Sequence, residues 1–243
     1  IFFLQDKGLS KNKNSFITRI KQDLFDGNSF IGFMSTSNQV TTNYDYFGRD
    51  ISQLEYIHTL SVDGMANLLD NQIGLDAQII MDAYSVQRGG SIRNRDHHKG
   101  MYGSISFSPT GFYSGWVDYY HYDKGLNLND LGYLWRDDYS QTKVGLKFQT
   151  MESWNFIRNT SVILEGDAEE NTDGLDLGKT IEFSYDIEFD NFWEIGGGFY
   201  KIMEHYDDRK IILPYKRNEF GPPIFIPEVL EFNFNITTDK HQT

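Results

Sequence analysis

The chain has 243 residues, with 35 Asp and Glu against 22 Lys and Arg, giving a formal net charge of −13. Its summed field therefore repels phosphate backbones and excludes a nucleic-acid partner. It has no cysteine, which excludes disulfides, thiolate catalysis and Cys-ligated zinc or iron–sulfur sites. Aromatic residues make up 16% of the chain, yet the mean hydropathy is −0.50. Either a soluble aromatic core or a barrel wall that alternates lipid-facing and polar side chains accommodates both facts. No run approaches the ~18 apolar residues of a membrane helix, so any crossing of a bilayer falls to strands.

In chain order, Ile1 to Asp6 has no basic region, sustained apolar stretch or cleavage site, and the sequence opens as if in mid-protein. Period-two alternation then predicts about eleven strands, near residues 15–22, 28–36, 55–68, 73–85, 99–108, 111–122, 141–150, 157–166, 177–189, 192–204 and 228–237. The clearest is the stretch in which Ile181, Phe183, Tyr185, Ile187 and Phe189 alternate with Glu182, Ser184, Asp186, Glu188 and Asp190, a wall with two unlike faces. Ile73 to Ala83 repeats the pattern against Gly74, Asp76, Gln78 and Asp82. Val144, Leu146 and Phe148 repeat it against Lys143, Gly145, Lys147 and Gln149.

Between these strands short turns are expected at Phe25–Asn28, Leu69–Gln72, Pro109–Gly111, Met151–Asn155 and Asp190–Asn191. They alternate with long connections at 37–54, 86–98, 123–140, 167–176 and 205–227. That asymmetry of short and long is expected of an outer-membrane barrel. The expectation is one domain over 1–243, an all-β, antiparallel up-and-down transmembrane β-barrel. An odd strand count and a polar end at Thr237–Thr243 suggest an incomplete one.

The segment Asn129-Asp130-Leu131-Gly132-Tyr133-Leu134-Trp135-Arg136-Asp137-Asp138-Tyr139 resembles the N-D-L-G-F-L-x-R-x-D-Y signature of an uncharacterised family of bacterial outer-membrane β-barrels. Asn14–Gly32 is similar to that family's early hairpin, Trp154-Asn155-Phe156 to its W-N-F element, and Phe192–Gly221 to its late D-D-R … G-G-P stretch, here interrupted by Lys210–Phe220. Members usually carry an upstream domain resembling family 9 carbohydrate-binding modules, which this sequence does not contain. The resemblance implies the outer membrane of a Gram-negative bacterium, lipid contact and an association with saccharides, without implying a reaction.

Each candidate site also has a plainer reading. His97 and His98 after Asp96 are expected in a solvated loop, because adjacent imidazoles seldom converge on one ion. The acidic run Asp167–Gly174 reads as an external loop rather than a calcium site. Asp76, Lys143, Lys147, Glu182, Asp186 and Glu188 are expected to line a hydrated lumen, and no pair of carboxylates is singled out for glycoside chemistry. Trp135 and Arg136 are expected either to fold into that lumen or to anchor at the rim. No G-x-S-x-G, phosphate loop or H-E-x-x-H occurs. No catalytic residue, metal or cofactor is therefore expected. The leading function is a pore or membrane platform. The alternatives are a barrel hydrolase acting on glycans or lipids, and a secreted β-sandwich that binds carbohydrate.

Overall fold

The structure, a computed structural model, describes residues 10–46, 49–88, 91–109, 111–126, 128, 134, 136–150, 152–212 and 220–238. The strands are β1 (Ser10–Leu24), β2 (Ser29–Tyr46), β3 (Arg49–Leu68), β4 (Ile73–Arg88), β5 (Ser91–Phe107), β6 (Tyr113–Tyr122), β7 (Tyr139–Gln149), β8 (Ile157–Glu170), β9 (Asp176–Phe189), β10 (Glu194–Ile202), β11 (His205–Asp207), β12 (Ile224–Ile226) and β13 (Val229–Thr237). Eleven of them form one antiparallel up-and-down sheet in the order β1-β2-β3-β4-β5-β6-β7-β8-β9-β10-β13, and β11 pairs with β12 in a separate ribbon. No α-helix occurs among the described residues; Phe25–Gly27 makes a single 3₁₀ turn.

The predicted turns hold where turn chemistry is strong. Leu69, Asp70 and Asn71 all take positive φ between β3 and β4, as a tight reversal requires. Two of the long connections are corrected. Residues 37–54 are mostly strand, because β2 runs to Tyr46 and β3 starts at Arg49; residues 86–98 likewise belong largely to β4 and β5. The reason is visible in β2. Beyond Phe33 it reads Ser35-Thr36-Ser37-Asn38-Gln39-Val40-Thr41-Thr42-Asn43, nearly polar on both faces. An alternation test finds nothing there, yet each residue pairs across to β1, from Ser37 opposite Phe16 to Asn43 opposite Ser10. The connection at 167–176 also shrinks, to 171–175. Asn171 closes it, its side-chain oxygen accepting the backbone N–H groups of Asp173 at 3.1 Å and Leu175 at 2.9 Å.

By backbone proximity the residues fall into two compact units, one of Ile1–Gly64, Ala77–Met101 and Tyr122–Asp138, the other of Met65–Asp76, Tyr102–His121 and Tyr139–Thr243. In the first, one face of β2, β3 and β4 buries Thr36, Asn38, Val40, Ile57, Thr59, Ser61, Ile80 and Asp82. The neighbouring positions Leu60, Val62, Ile79 and Met81 point the other way and are exposed.

The second unit shows the same inversion in full register. Leu146, Leu164, Phe183, Phe199 and Phe232 form one row across β7, β8, β9, β10 and β13, and Phe148, Val162, Tyr185, Gly197 and Phe234 form the next. Leu146, Phe148, Leu164, Phe232 and Phe234 are all exposed, Phe232 by 75%. On the reverse face the matching rows are polar. No sheet of comparable size covers the apolar rows among the described residues.

Candidate functional site

Strand alternation gathers the chemistry on the polar face of β7–β10 and β13. Register places Lys143 opposite Asp167, and Asp167 opposite Thr180. The next row runs Gly145, Glu165, Glu182, Tyr200, Glu231. Beyond it come Lys147, Ile163, Ser184, Gly198 and Asn233, then Gln149, Ser161, Asp186, Gly196 and Asn235. Glu188 closes the face near the short turn and accepts Arg158 Nη1 at 2.9 Å. Five of the six residues singled out for a lumen, Lys143, Lys147, Glu182, Asp186 and Glu188, thus share one face. Asp76 lies on β4 and is exposed.

The row Glu165–Glu182–Tyr200–Glu231 sets like charges side by side, an arrangement that disfavours the sheet unless water or cations screen it. Glycines let neighbouring strands approach on this face. A Cβ on Gly145 would stand 2.1 Å from Trp116 Cζ2, so the indole of β6 occupies the room that a side chain on β7 would need there.

The signature residues are partly in view. Asn129, Asp130, Leu131, Gly132 and Trp135 lie outside the described residues. Arg136 is half-buried. Asp138 is buried, with φ +55°, and stands 4.0 Å from Lys124 Nζ. Tyr139 opens β7 and donates its hydroxyl to Glu169 Oε1 at 2.9 Å, where Gln141 Nε2 also donates at 2.7 Å. Tyr139 and Gln141 thereby tie the rim of β7 to β8.

The histidine expectation needs correction. His97 and His98 sit in β5 rather than in a loop, so they point to opposite faces. His98 reaches Asp82 of β4: its Nδ1 lies 2.8 Å from Asp82 Oδ1, whose side chain is 1% exposed, and its backbone N–H donates to the same oxygen. Gly125, at φ +91°, rests against the imidazole, and an added Cβ there would meet His98 Nε2 at 2.7 Å. The acidic run is likewise not one loop. Asp167 and Glu169 share the polar face of β8 with Ala168 on the other, whereas Asp173 lies in the 171–175 connection, so the run is part strand and part turn.

Sequence reading missed two pairs. His98 and Asp82 are sixteen residues apart, with no motif to link them. His121 Nδ1 lies 2.8 Å from Ser140 Oγ, across a connection to which Ser140 itself had been assigned. Only the register of neighbouring strands brings either pair together.

No protein-family model matches the chain, and neither a curated protein nor a solved structure matches it.

Proposed function

We propose that this chain is a stretch of an outer-membrane β-barrel from a Gram-negative bacterium, serving as a hydrated pore or membrane platform. The observation that carries it is the inverted burial: polar residues such as Thr36, Asn38, Thr59 and Asp82 are sealed, while the apolar rows lie bare. Each large apolar side chain left in water forfeits roughly 1.5–3 kcal/mol. Leu146, Phe148, Leu164, Phe232, Phe234 and Ile236 together forfeit about 10 kcal/mol, the size of a domain's entire stability margin. A lipid surface removes that cost; water does not.

Further features support the reading. Phe156, Trp154, Phe192 and Trp193 cluster in exposed positions at the short turns, as an interfacial girdle does. Lys201 sits on the apolar face opposite Ile181 and Leu230, and extends to Glu228 at 3.1 Å, a cation on a long stem at the opposite rim. With 20 residues, β3 spans about 65 Å at strand rise, whereas a tilted crossing needs about ten residues. The strand-rich sheet and the resemblance of the Asn129–Tyr139 segment point the same way, and the family's usual sugar-binding neighbour suggests saccharides as its partners.

The polar face then lines water, and its carboxylates outnumber Lys143 and Lys147, so field focusing favours cations. The test is reconstitution in planar bilayers under a salt gradient. Cation-selective steps are expected, reduced in selectivity by Glu182→Gln with Asp186→Asn. Anion selectivity would overturn the charge argument. Failure of brominated lipids to quench Trp154 and Trp193 would overturn the membrane reading itself.

A further inference from the structure

Three contacts fix how β6 lies against β7. Gln149 N donates to Phe112 O at 2.8 Å, Trp116 covers Gly145, and Leu146 packs on Gly115. Counting along this register brings His121 directly opposite Ser140, where their side chains meet at 2.8 Å. Both share the parity of Val117, Tyr119, Val144 and Leu146, which are exposed. The pair therefore belongs to the apolar face, at the strand ends remote from the short turns.

Next to it is a hollow of about 380 Å³. Its floor carries the small side chains Ser140, Thr142 and Ala168, with Thr142 opposite Ala168, while Glu170 stands opposite Ser140 and lines the same hollow with Glu169. Tyr119 forms one wall. Lys179, opposite Ala168 and ion-paired with Asp176, forms the other.

We propose that Ser140 and His121 are a nucleophile and its base, and that the hollow takes an acyl ester presented by the lipid surface. A serine hydroxyl is a weak nucleophile until a positioned base removes its proton. With the His121 proton on Nε2, Nδ1 accepts from Ser140 Oγ and can take that proton as Oγ attacks the ester carbonyl. The Oγ–C bond forms, the ester C–O bond breaks, and His121 returns the proton to the departing alkoxide. Water then attacks the acyl-serine with His121 again as base, freeing the carboxylic acid and restoring Ser140. Tyr119 and Lys179, the latter ion-paired with Asp176, are the donors among the residues lining the hollow. Val144 and Leu146, below it on the same face, offer an acyl chain an apolar track. No G-x-S-x-G is needed, since such pairs are defined by geometry and role rather than by chain position. That the ester arrives from a bilayer rests on the membrane reading; the nucleophile–base pair does not.

The experiment uses the full chain folded in detergent micelles. A fluorophosphonate probe should label Ser140, located by peptide mass spectrometry, and p-nitrophenyl butyrate and a phospholipid with a fluorescent acyl chain should both be hydrolysed. Ser140→Ala should abolish labelling and turnover, and His121→Gln should lower turnover about a hundredfold or more. Heat-modifiable gel mobility should be retained in both variants. Hydrolysis of the soluble ester alone would keep the pair while removing lipid as its substrate. Turnover of both esters by folded protein no faster than that of Ser140→Ala, or a label on another serine, would overturn the proposal.

Discussion

The hairpin of β1 and β2 and that of β8 and β9 are built on the same antiparallel ladder, yet they divide their surface differently. Along β8 and β9 one face stays apolar from Val162 and Leu164 through Ile181, Phe183 and Ile187. In β1 and β2 apolar residues crowd toward the turn. Phe16, Ile20, Ile31 and Phe33 are exposed there, whereas Asn12 to Asn14 and Asn38 to Asn43 leave the far half almost wholly polar. The ladder alone does not decide what a strand faces. The apolar residues mark how much of each hairpin carries two unlike faces, and the remainder is a polar ladder whose one face still buries Thr36, Asn38 and Val40.

The strongest way to break this comparison is a charge on the apolar row. Leu164→Arg should destabilise the protein in vesicles by about 2–4 kcal/mol, as cations do near a bilayer midplane, while Ser184→Arg on the polar face of β9 should cost little. Urea titrations of both variants in liposomes measure the difference; equal losses would mean that the two faces do not meet different solvents.

A smaller effect sharpens the same contrast through packing. A Cβ on Gly198 would lie 2.1 Å from Phe183 O and 3.0 Å from Ser184 Cα, both backbone atoms that cannot swing aside. Gly198→Ala should cost about 1–3 kcal/mol by overpacking, whereas Gly103→Ala, with nothing within 4 Å of its Cβ, should be tolerated. The loop side supplies the third test. Asn171→Ala removes acceptors for two backbone N–H groups and a donor to Asp208 Oδ2. It should cost about 1 kcal/mol, read as a lower denaturation midpoint in micelles.

The smallest effect expected is that of Arg158→Ala. It breaks the bond to Glu188 and the stacking over Phe192, but the side chain is half exposed, so the loss should stay within about 1 kcal/mol and fade in high salt.

The fold was readable where a strand presents two unlike faces. Ile181 to Phe189 shows its apolar and polar sides in the sequence because side chains alternate between two faces that carry unlike residues. Thr41, Thr42, Asn43, Ser52 and Gln53 gave no such signal, since a strand with polar residues on both faces shows no alternation, and so they were read as loop. Lys143, Lys147, Glu182, Asp186 and Glu188 fell on a common face because parity within a strand is a local property. The contacts Asp82–His98, Trp116–Gly145 and His121–Ser140 were not readable. They depend on which residue of one strand stands opposite which residue of the next, and that is set by the turns and by packing.

Gly196, Gly197 and Gly198 make β10 nearly bare backbone at its centre, and its neighbours occupy the vacated room. Asp186 and Asn235 close over Gly196, and the Tyr185 ring bends over Gly197. This works as a lock with its key. If β10 slipped by one residue against β9, either Ile195 would arrive where Asp186 and Asn235 need emptiness or Phe199 would arrive where the Phe183 carbonyl does, and every face would invert as well. Three residues without side chains thus proofread the alignment of two strands at once, rejecting misregistered pairing while the sheet is being assembled.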